Sequence, residues 1–340
     1  MKFSIIIPVY NVAPYLRECL DSVVKAAEQV KVRGEGEQWN VEIICVDDGS
    51  TDGSGEILDE YASTFQPSNL STFKVIHQSN GGEGAARNAA LRVAKGEWVV
   101  FLDSDDVIKE DLLQFVIEQT TLHPHAEMVT YVAECFGEDS LPDWHPRFSD
   151  KPRLLSVETE LPSELAWYGI CCFSVKRECL RGLAFRDFKL GADVVFVLQV
   201  LLRVKEIVLT KDVKYGYRLV STSMSHKVRS PALVTDHIRY MRALFRCCAD
   251  SRKRLGAGFT TKRVNQLVAV IGSELLSGFN DRTWEGAREE WYSALADLKD
   301  YDFLSLPQRF VIRGLLIARC RLAVALLCAV PLRLKRAART

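Results

Sequence analysis

"WVVFLDSDD", residues 98–106, is the stretch on which the rest of the chain turns. Five apolar, mostly β-prone residues run directly into three carboxylates, Asp103, Asp105 and Asp106. A short apolar run ended by a turn suits a buried strand. Like charges this close repel and raise one another's pKa unless a cation or an array of donors holds them. A solvated turn in which one Asp caps the next helix would satisfy the same residues. What else lies at the same edge of the fold discriminates between the two.

Working outward, the first 132 residues alternate strand and helix patterns. "FSIIIPVY" is apolar and β-branched, and "APYLRECLDSVVKAAEQV" places Leu16, Leu20, Val23 and Val24 on one helical face. "VEIICVDDGS" is a second strand ending in acid, followed by the helix "GEILDEYASTF". "FKVIHQ" is a third strand, a glycine loop leads into the helix "GAARNAALRVAK", and "WVVFLDSDD" is the fourth strand. The helix "KEDLLQFVIEQT" and a fifth strand at "AEMVTYVA" complete the series. Continuous apolar strands separated by amphipathic helices predict an α/β, doubly wound, mostly parallel sheet covered on both faces. Ligands of such sheets bind outside the carboxyl ends of the strands. Those ends deliver Pro8, Tyr10 and Asn11 from the first strand and Asp47, Asp48, Gly49 and Ser50 from the second. The third is followed by "SNGGEGAARN", and the fourth ends in the acidic turn. The unusual chemistry therefore converges on one crevice.

The pattern weakens from 133 to 165, as in an irregular or hairpin insertion carrying Trp144 and His145. The helix "GADVVFVLQVLLR" and the strand "VKYGYRL" close a first domain spanning 1–226. Residues 227–340 read as a helical C-terminal region.

The 44 basic and 44 acidic residues give zero formal net charge, so no global field draws the chain to nucleic acid. Apolar residues are 48% and charged ones 26%, a globular composition. Ten cysteines include the adjacent pairs Cys171–Cys172 and Cys247–Cys248 but no C-x-x-C, which suits a reducing cytoplasm better than a disulfide framework or a zinc site. No stretch reaches the roughly 18 apolar residues that span a bilayer. At 322–332, "LAVALLCAVPL" is too short to span, but it follows Arg309, Arg313, Arg319 and Arg321 and precedes "RLKRAART". That arrangement suits either a peripheral helix at an anionic inner-membrane face or a core helix with a basic tail.

In the crevice, "NGGEGAARN" brings backbone N–H groups to a helix N-terminus at Gly82, and Arg87 adds a cation able to grip phosphate. Gly82, Gly84 and Asp103 also resemble part of a dinucleotide fingerprint, but Arg87 occupies the third glycine position and no glycine loop follows the first strand. An NAD(P)-dependent enzyme is therefore the weaker alternative. Carboxylates at i and i+2 suit Mn2+ or Mg2+, held by one or two protein carboxylates plus substrate phosphates. A cation there would relieve the repulsion between Asp103 and Asp105.

"FSIIIPVYN", "VDDGSTDGS", "NGGEGAARN" and "FLDSDD" resemble, in this order and at similar spacing, the successive motifs of family 2 nucleotide-sugar glycosyltransferases. The resemblance covers about residues 3–110 and continues more weakly to about 226. It implies a GT-A fold, an inverting mechanism and a nucleotide-sugar donor of UDP-sugar type, with a saccharide or lipid-linked acceptor in cell-surface glycan synthesis. It further implies that Pro8, Tyr10 and Asp48 hold the base, Asp48 accepting from a pyrimidine N–H. Asp103 would contact the ribose, Asp105 would ligate the metal, Asp106 would shape the loop or cap the next helix, and Asp47 would be structural. The family's Gly-Glu-Asp motif aligns with "GAD", which makes Asp193 the general base but leaves Ala192 where Glu is usual. That departure keeps open a non-catalytic sugar-nucleotide-binding protein. "YGYRLVSTSMSH" resembles the family's closing segment over the donor diphosphate, with Arg218 or His226 as candidates.

Overall fold

The computed structural model describes residues 2–30, 40–64, 70–137, 152–157, 169–188 and 191–220, with 239–240, 242–244, 246–247 and 293. Apart from helical positions at 239–240, 242–244, 246–247 and 293, the expected helices beyond 230 lie outside the described residues, as do Trp144, His145, His226 and the basic tail. The chain forms two compact units, Met1–Glu158 with Trp167–Asp187 and Gln199–His226, and Thr159–Ala166 with Phe188–Leu198 and Lys227–Thr340.

The elements in chain order are β1 (Lys2–Val9), α1 (Ala13–Glu28), β2 (Asn40–Asp47), α2 (Ser54–Thr64), β3 (Leu70–His77) and α3 (Glu83–Val93). There follow β4 (Trp98–Phe101), β5 (Val107–Ile108), α4 (Leu112–Leu122), β6 (Met128–Thr130), β7 (Val132–Gly137) and β8 (Arg153–Ser156). The last are β9 (Phe173–Lys176), α5 (Ala192–Leu201), β10 (Glu206–Leu209) and β11 (Val213–Leu219). In the first unit, the described strands form an eight-stranded sheet, β3-β2-β1-β4-β9-β6-β10-β8, and a three-stranded sheet, β5-β11-β7. The pairings of β1 with β2 and β4, of β2 with β3 and of β10 with β6 are parallel. Strand β9 runs antiparallel to β4 and β6, and β8 antiparallel to β10.

β1 is central because its sequence tolerates burial on both faces: Phe3, Ile5, Ile6 and Ile7 have no exposed surface. Leu16, Cys19, Leu20 and Val23 of α1 pack into the same core. Ser4 is the polar exception on β1, and its hydroxyl both donates to Glu42 and accepts from Gly96 N at 2.8 Å. Gly96 admits no side chain, since a Cβ would stand 2.4 Å from Ser4 Oγ and 2.5 Å from Ser4 N. This close approach brings the end of the α3–β4 connection against β1, beside the register that aligns β4.

Two expectations are corrected. "AEMVTYVA" is two strands: β6 joins the large sheet and β7 the small one, with buried Tyr131 at the switch. Local apolarity cannot distinguish one strand from two that change sheets at a single residue. The acidic turn leads into β5 and not directly into a helix, so Asp106 does not cap α4; Asp111 occupies that N-cap position.

Candidate active site

The parallel register brings the carboxyl ends of β1, β2, β3 and β4 to one edge. Asp48 N donates to Val9 O at 2.8 Å, Gln78 N to Asp47 O at 2.9 Å, and Leu102 N to Ile6 O at 3.0 Å. The loops carrying the sequence motifs leave the sheet from these positions.

Asp48, 2% exposed, holds the glycine loop. Its Oδ1 accepts from Gln78 Nε2 at 2.6 Å and Gly81 N at 2.9 Å, and its Oδ2 from Gly82 N at 2.7 Å. A carboxylate offers about four lone-pair sites. These three donors leave one, on Oδ2. Gly82 turns the chain at φ 87°, a left-handed conformation that favours glycine, and α3 begins at Glu83. The amides of Gly81 and Gly82 thus serve Asp48 rather than standing open at the loop surface.

The turn 103–106 is held from several sides. Asp106 N donates to Asp103 O at 3.0 Å, and the Cys19 thiol lies 3.7 Å from the same carbonyl. Tyr215 of β11, fully buried, accepts from Asp103 N at 3.2 Å and donates to Asp106 Oδ2 at 2.6 Å. Arg218 N donates to Asp106 Oδ1 at 2.7 Å, and Arg218 Nε to Asp105 O at 2.7 Å. Burial, then the neighbouring charge of Asp103, raises the pKa of Asp105 above the usual carboxylate value. Burial with the charges of Asp103 and Asp105 pushes Asp106 up to about 8, against the donors on β11.

Arg87, expected as a phosphate-gripping cation, is 2% exposed and bonded through Nη2 to Glu83 at 2.5 Å and Asp103 at 2.6 Å. Its guanidinium lies over the Phe185 ring, 5.4 Å from the centroid. Asn88, one residue on, fixes Phe185 by two bonds: its Nδ2 donates to Phe185 O at 2.9 Å and its Oδ1 accepts from Phe185 N at 2.8 Å. The "GAARN" segment therefore joins the glycine loop to both the acidic turn and the segment after β9.

Pro8 is buried within β1, opposite Val46. Tyr10 is 50% exposed, the conformation in which a ring can stack on a planar ligand. Beside it Asn11, at φ 52°, accepts from Thr51 N at 2.8 Å while its own N donates to Ser50 Oγ at 3.1 Å. Asp52 accepts from Ala13 N at 2.9 Å, so a residue of the second loop serves the N-terminus of α1. Asp47 accepts from Ser50 N at 2.9 Å and from His77 at 2.9 Å, an anchor for the end of β2. Asp193 stands in the first turn of α5, in the second compact unit. There Gly191 is obligatory, because a Cβ would stand 2.7 Å from the Tyr240 ring. The sequence reading did not single out Tyr215, Gln78 or Glu83. Tyr215 lies in the segment quoted for its resemblance, but nothing local marks a tyrosine on a strand as the partner of an acid 109 residues away.

The acidic turn fits a divalent cation. Two hard carboxylates, Asp103 and Asp105, lie two residues apart, oxygen donors of the kind a hard divalent cation takes. Among the described residues no group of three or more His, Cys, Asp or Glu forms a metal site. A cation held here would take its remaining ligands from substrate phosphate and water, as Mg2+ commonly does.

The family described as glycosyl transferase family 2 matches residues 4–180, more than half of the chain. The chain belongs to this family. Its fold is GT-A: the structure of S. aureus TarS 1–349 in complex with UDP-GlcNAc superposes with a TM-score of 0.69 over 99% of this chain and 92% of that one, at 21% identity. Glycosyltransferase GlyG of Streptococcus pneumoniae serotype 4 is 40% identical over 117 residues, 34% of each protein. The minor teichoic acid biosynthesis protein GgaB of Bacillus subtilis is 31% identical over 221 residues, 64% of this chain and 23% of GgaB. The match thus spans about a quarter to a third of the length of these two relatives.

Proposed function

We propose that this chain transfers a sugar, with inversion, from a nucleoside-diphosphate donor of UDP-sugar type to a saccharide or lipid-linked acceptor in cell-surface glycan synthesis. The observation that carries the reading is the meeting of Asp48, the glycine loop and the 103–106 turn at one sheet edge. The UDP-GlcNAc complex of TarS and the teichoic acid role of GgaB support the donor class and the product class. Tyr10 stacks on the base, Pro8 lines the strand end, and the remaining acceptor site of Asp48 Oδ2 takes the pyrimidine N–H. Gly82 keeps the loop below the donor, and Arg87 aims Asp103 at the ribose. Mn2+ or Mg2+ held by Asp105 supplies positive charge to the departing diphosphate. Asp193 accepts the proton of the acceptor hydroxyl as its oxygen bonds to the anomeric carbon and the bond to diphosphate breaks.

Release of UDP from a panel of UDP-sugars, with and without Mn2+, tests the proposal. Asp105→Asn should leave a folded protein whose cation-dependent turnover is lost. Full turnover in that variant, or in excess chelator, rejects the cation role. Ala192, in place of the family's Glu, favours a second reading as a non-catalytic donor-binding protein, which predicts UDP binding with no turnover on any donor. We also place the 322–332 segment at an anionic membrane surface, where a lipid-linked acceptor resides. Flotation of the full chain with anionic but not neutral liposomes is expected at low salt, and no flotation with either removes this placement.

A further inference from the structure

We propose that Arg218 and Tyr215 of β11 are positioning residues for the cation-binding carboxylate Asp105, holding the 103–106 turn so that Asp105 is aimed before any ligand arrives, while Arg87 separately holds the side chain of Asp103. This rests on the reading of Asp105 as the cation ligand. Three carboxylates in four residues repel, and an untethered turn would splay them and require ordering when a cation binds. β11 opposes that splaying at several atoms. The Tyr215 hydroxyl bridges the two ends of the turn, accepting from Asp103 N and donating to Asp106 Oδ2. The Arg218 backbone binds the other oxygen of Asp106, and its Nε grips Asp105 by the carbonyl and not by the carboxylate. Asp106 is thereby the handle by which β11 holds the turn.

Arg218 is itself built in. Its Nη2 reaches Glu18 of α1 at 2.6 Å, and its guanidinium lies over the rings of Tyr15, at 5.1 Å, and Phe136, at 4.4 Å. The side chain is 14% exposed. One planar fork thus ties α1 and the acidic turn together from β11, a task a lysine ammonium cannot perform in the same geometry. Tight packing supports the register: a Cβ on Gly216 would stand 2.7 Å from Val107 Cγ2, so β11 lies directly against the strand that leaves the turn. The resemblance makes Arg218 one of two candidates, with His226, for the donor diphosphate. The geometry gives it a different task, exercised through Asp105 and Asp106.

The test is calorimetry of UDP binding to the full chain, once with Mn2+ and once with chelator, for the parental protein, Arg218→Met, Arg218→Lys and Tyr215→Phe. Outer residues that orient metal ligands typically cost 10- to 100-fold in metal affinity, so the Mn2+-dependent gain in UDP affinity should fall at least about tenfold in Arg218→Met. UDP affinity in chelator should stay at the parental value. Arg218→Lys should restore the gain only in part, and Tyr215→Phe should reduce it in the same direction. An unreduced gain in folded Arg218→Met overturns the proposal. Equal loss of UDP affinity with and without Mn2+ also overturns it, since that marks a direct donor ligand. Should Arg218→Met fail to fold, an unreduced gain in both Arg218→Lys and Tyr215→Phe overturns it. A parental protein with no Mn2+-dependent gain rejects the cation reading itself, whereas a parental gain unchanged in the variants rejects only the positioning role.

Discussion

Asp48 holds the glycine loop, and the proposed reading gives the same carboxylate a part in donor binding. Three donors already converge on its carboxylate, and all three belong to the segment 78–82. Removing the carboxylate unclasps the glycine loop and, on the proposed reading, also deletes the acceptor that would meet a nucleobase. Loss of a charge-assisted hydrogen bond costs roughly 1.5–3 kcal/mol. Asp48→Ala is therefore expected to weaken UDP binding by about one to two orders of magnitude, which calorimetry measures directly. Unchanged affinity would remove Asp48 from the donor site. The place of Asp48 at the end of an apolar strand was legible in the sequence. Its three partners were not, because they come from another loop 30 to 34 residues on.

The ends of β2 and β3 and the middle of α2 are joined through one imidazole. His77 Nδ1 meets Asp47 at 2.9 Å and Nε2 meets Asp59 at 3.2 Å. The bond to Asp47, then that to Asp59, raises the pKa of His77 above 6.5. Burial pushes the Asp47 carboxyl up, but bonds from Ser50 and His77 outweigh it and leave its pKa below the usual value. The His77 contribution is therefore fully present below about pH 6.5, its unfolded value, and is lost as pH rises through the raised folded value. The Asp47 contribution is present above its unfolded value, about 3.9, and is lost as pH falls through the depressed folded one. Thermal melts of His77→Gln should fall below the parental protein between about pH 5 and 6, with the gap closing at alkaline pH. The ring is half exposed, so solvent screening keeps the effect small. A gap independent of pH would show that packing, not charge, accounts for the residue.

For the chain as a whole, the residues proposed to bind the donor and the proposed general base belong to different compact units. Asp48, Asp103 and Asp105 belong to the first, and Asp193, in the first turn of α5, belongs to the second. Asp193→Asn should preserve UDP affinity while reducing transfer onto the best acceptor of a glycan panel by about 10²–10⁴-fold, the usual worth of a general base. Transfer at the parental rate would send the search for the base to other acids of the 133–193 region. Among the described residues no helix is long and apolar enough to cross a membrane.

Apolar runs and acid-ended strands were enough to establish an α/β sheet and the residues delivered to its carboxyl edge. Burial on both faces writes itself into four or five consecutive side chains, and a strand end is marked by the first charge after them. Sheet exchange was not legible: β6 and β7 form one apolar run, and only the positions of β9 and β11 assign its halves to different sheets. Nor were the directions of the charges. Arg87 reads as a phosphate cation in isolation but is turned to Asp103, and Arg218 is turned to Asp105 and Glu18. A side chain's partner depends on which distant carboxylate or carbonyl the packed elements bring within about 3 Å, and the chain's linear order does not encode that distance.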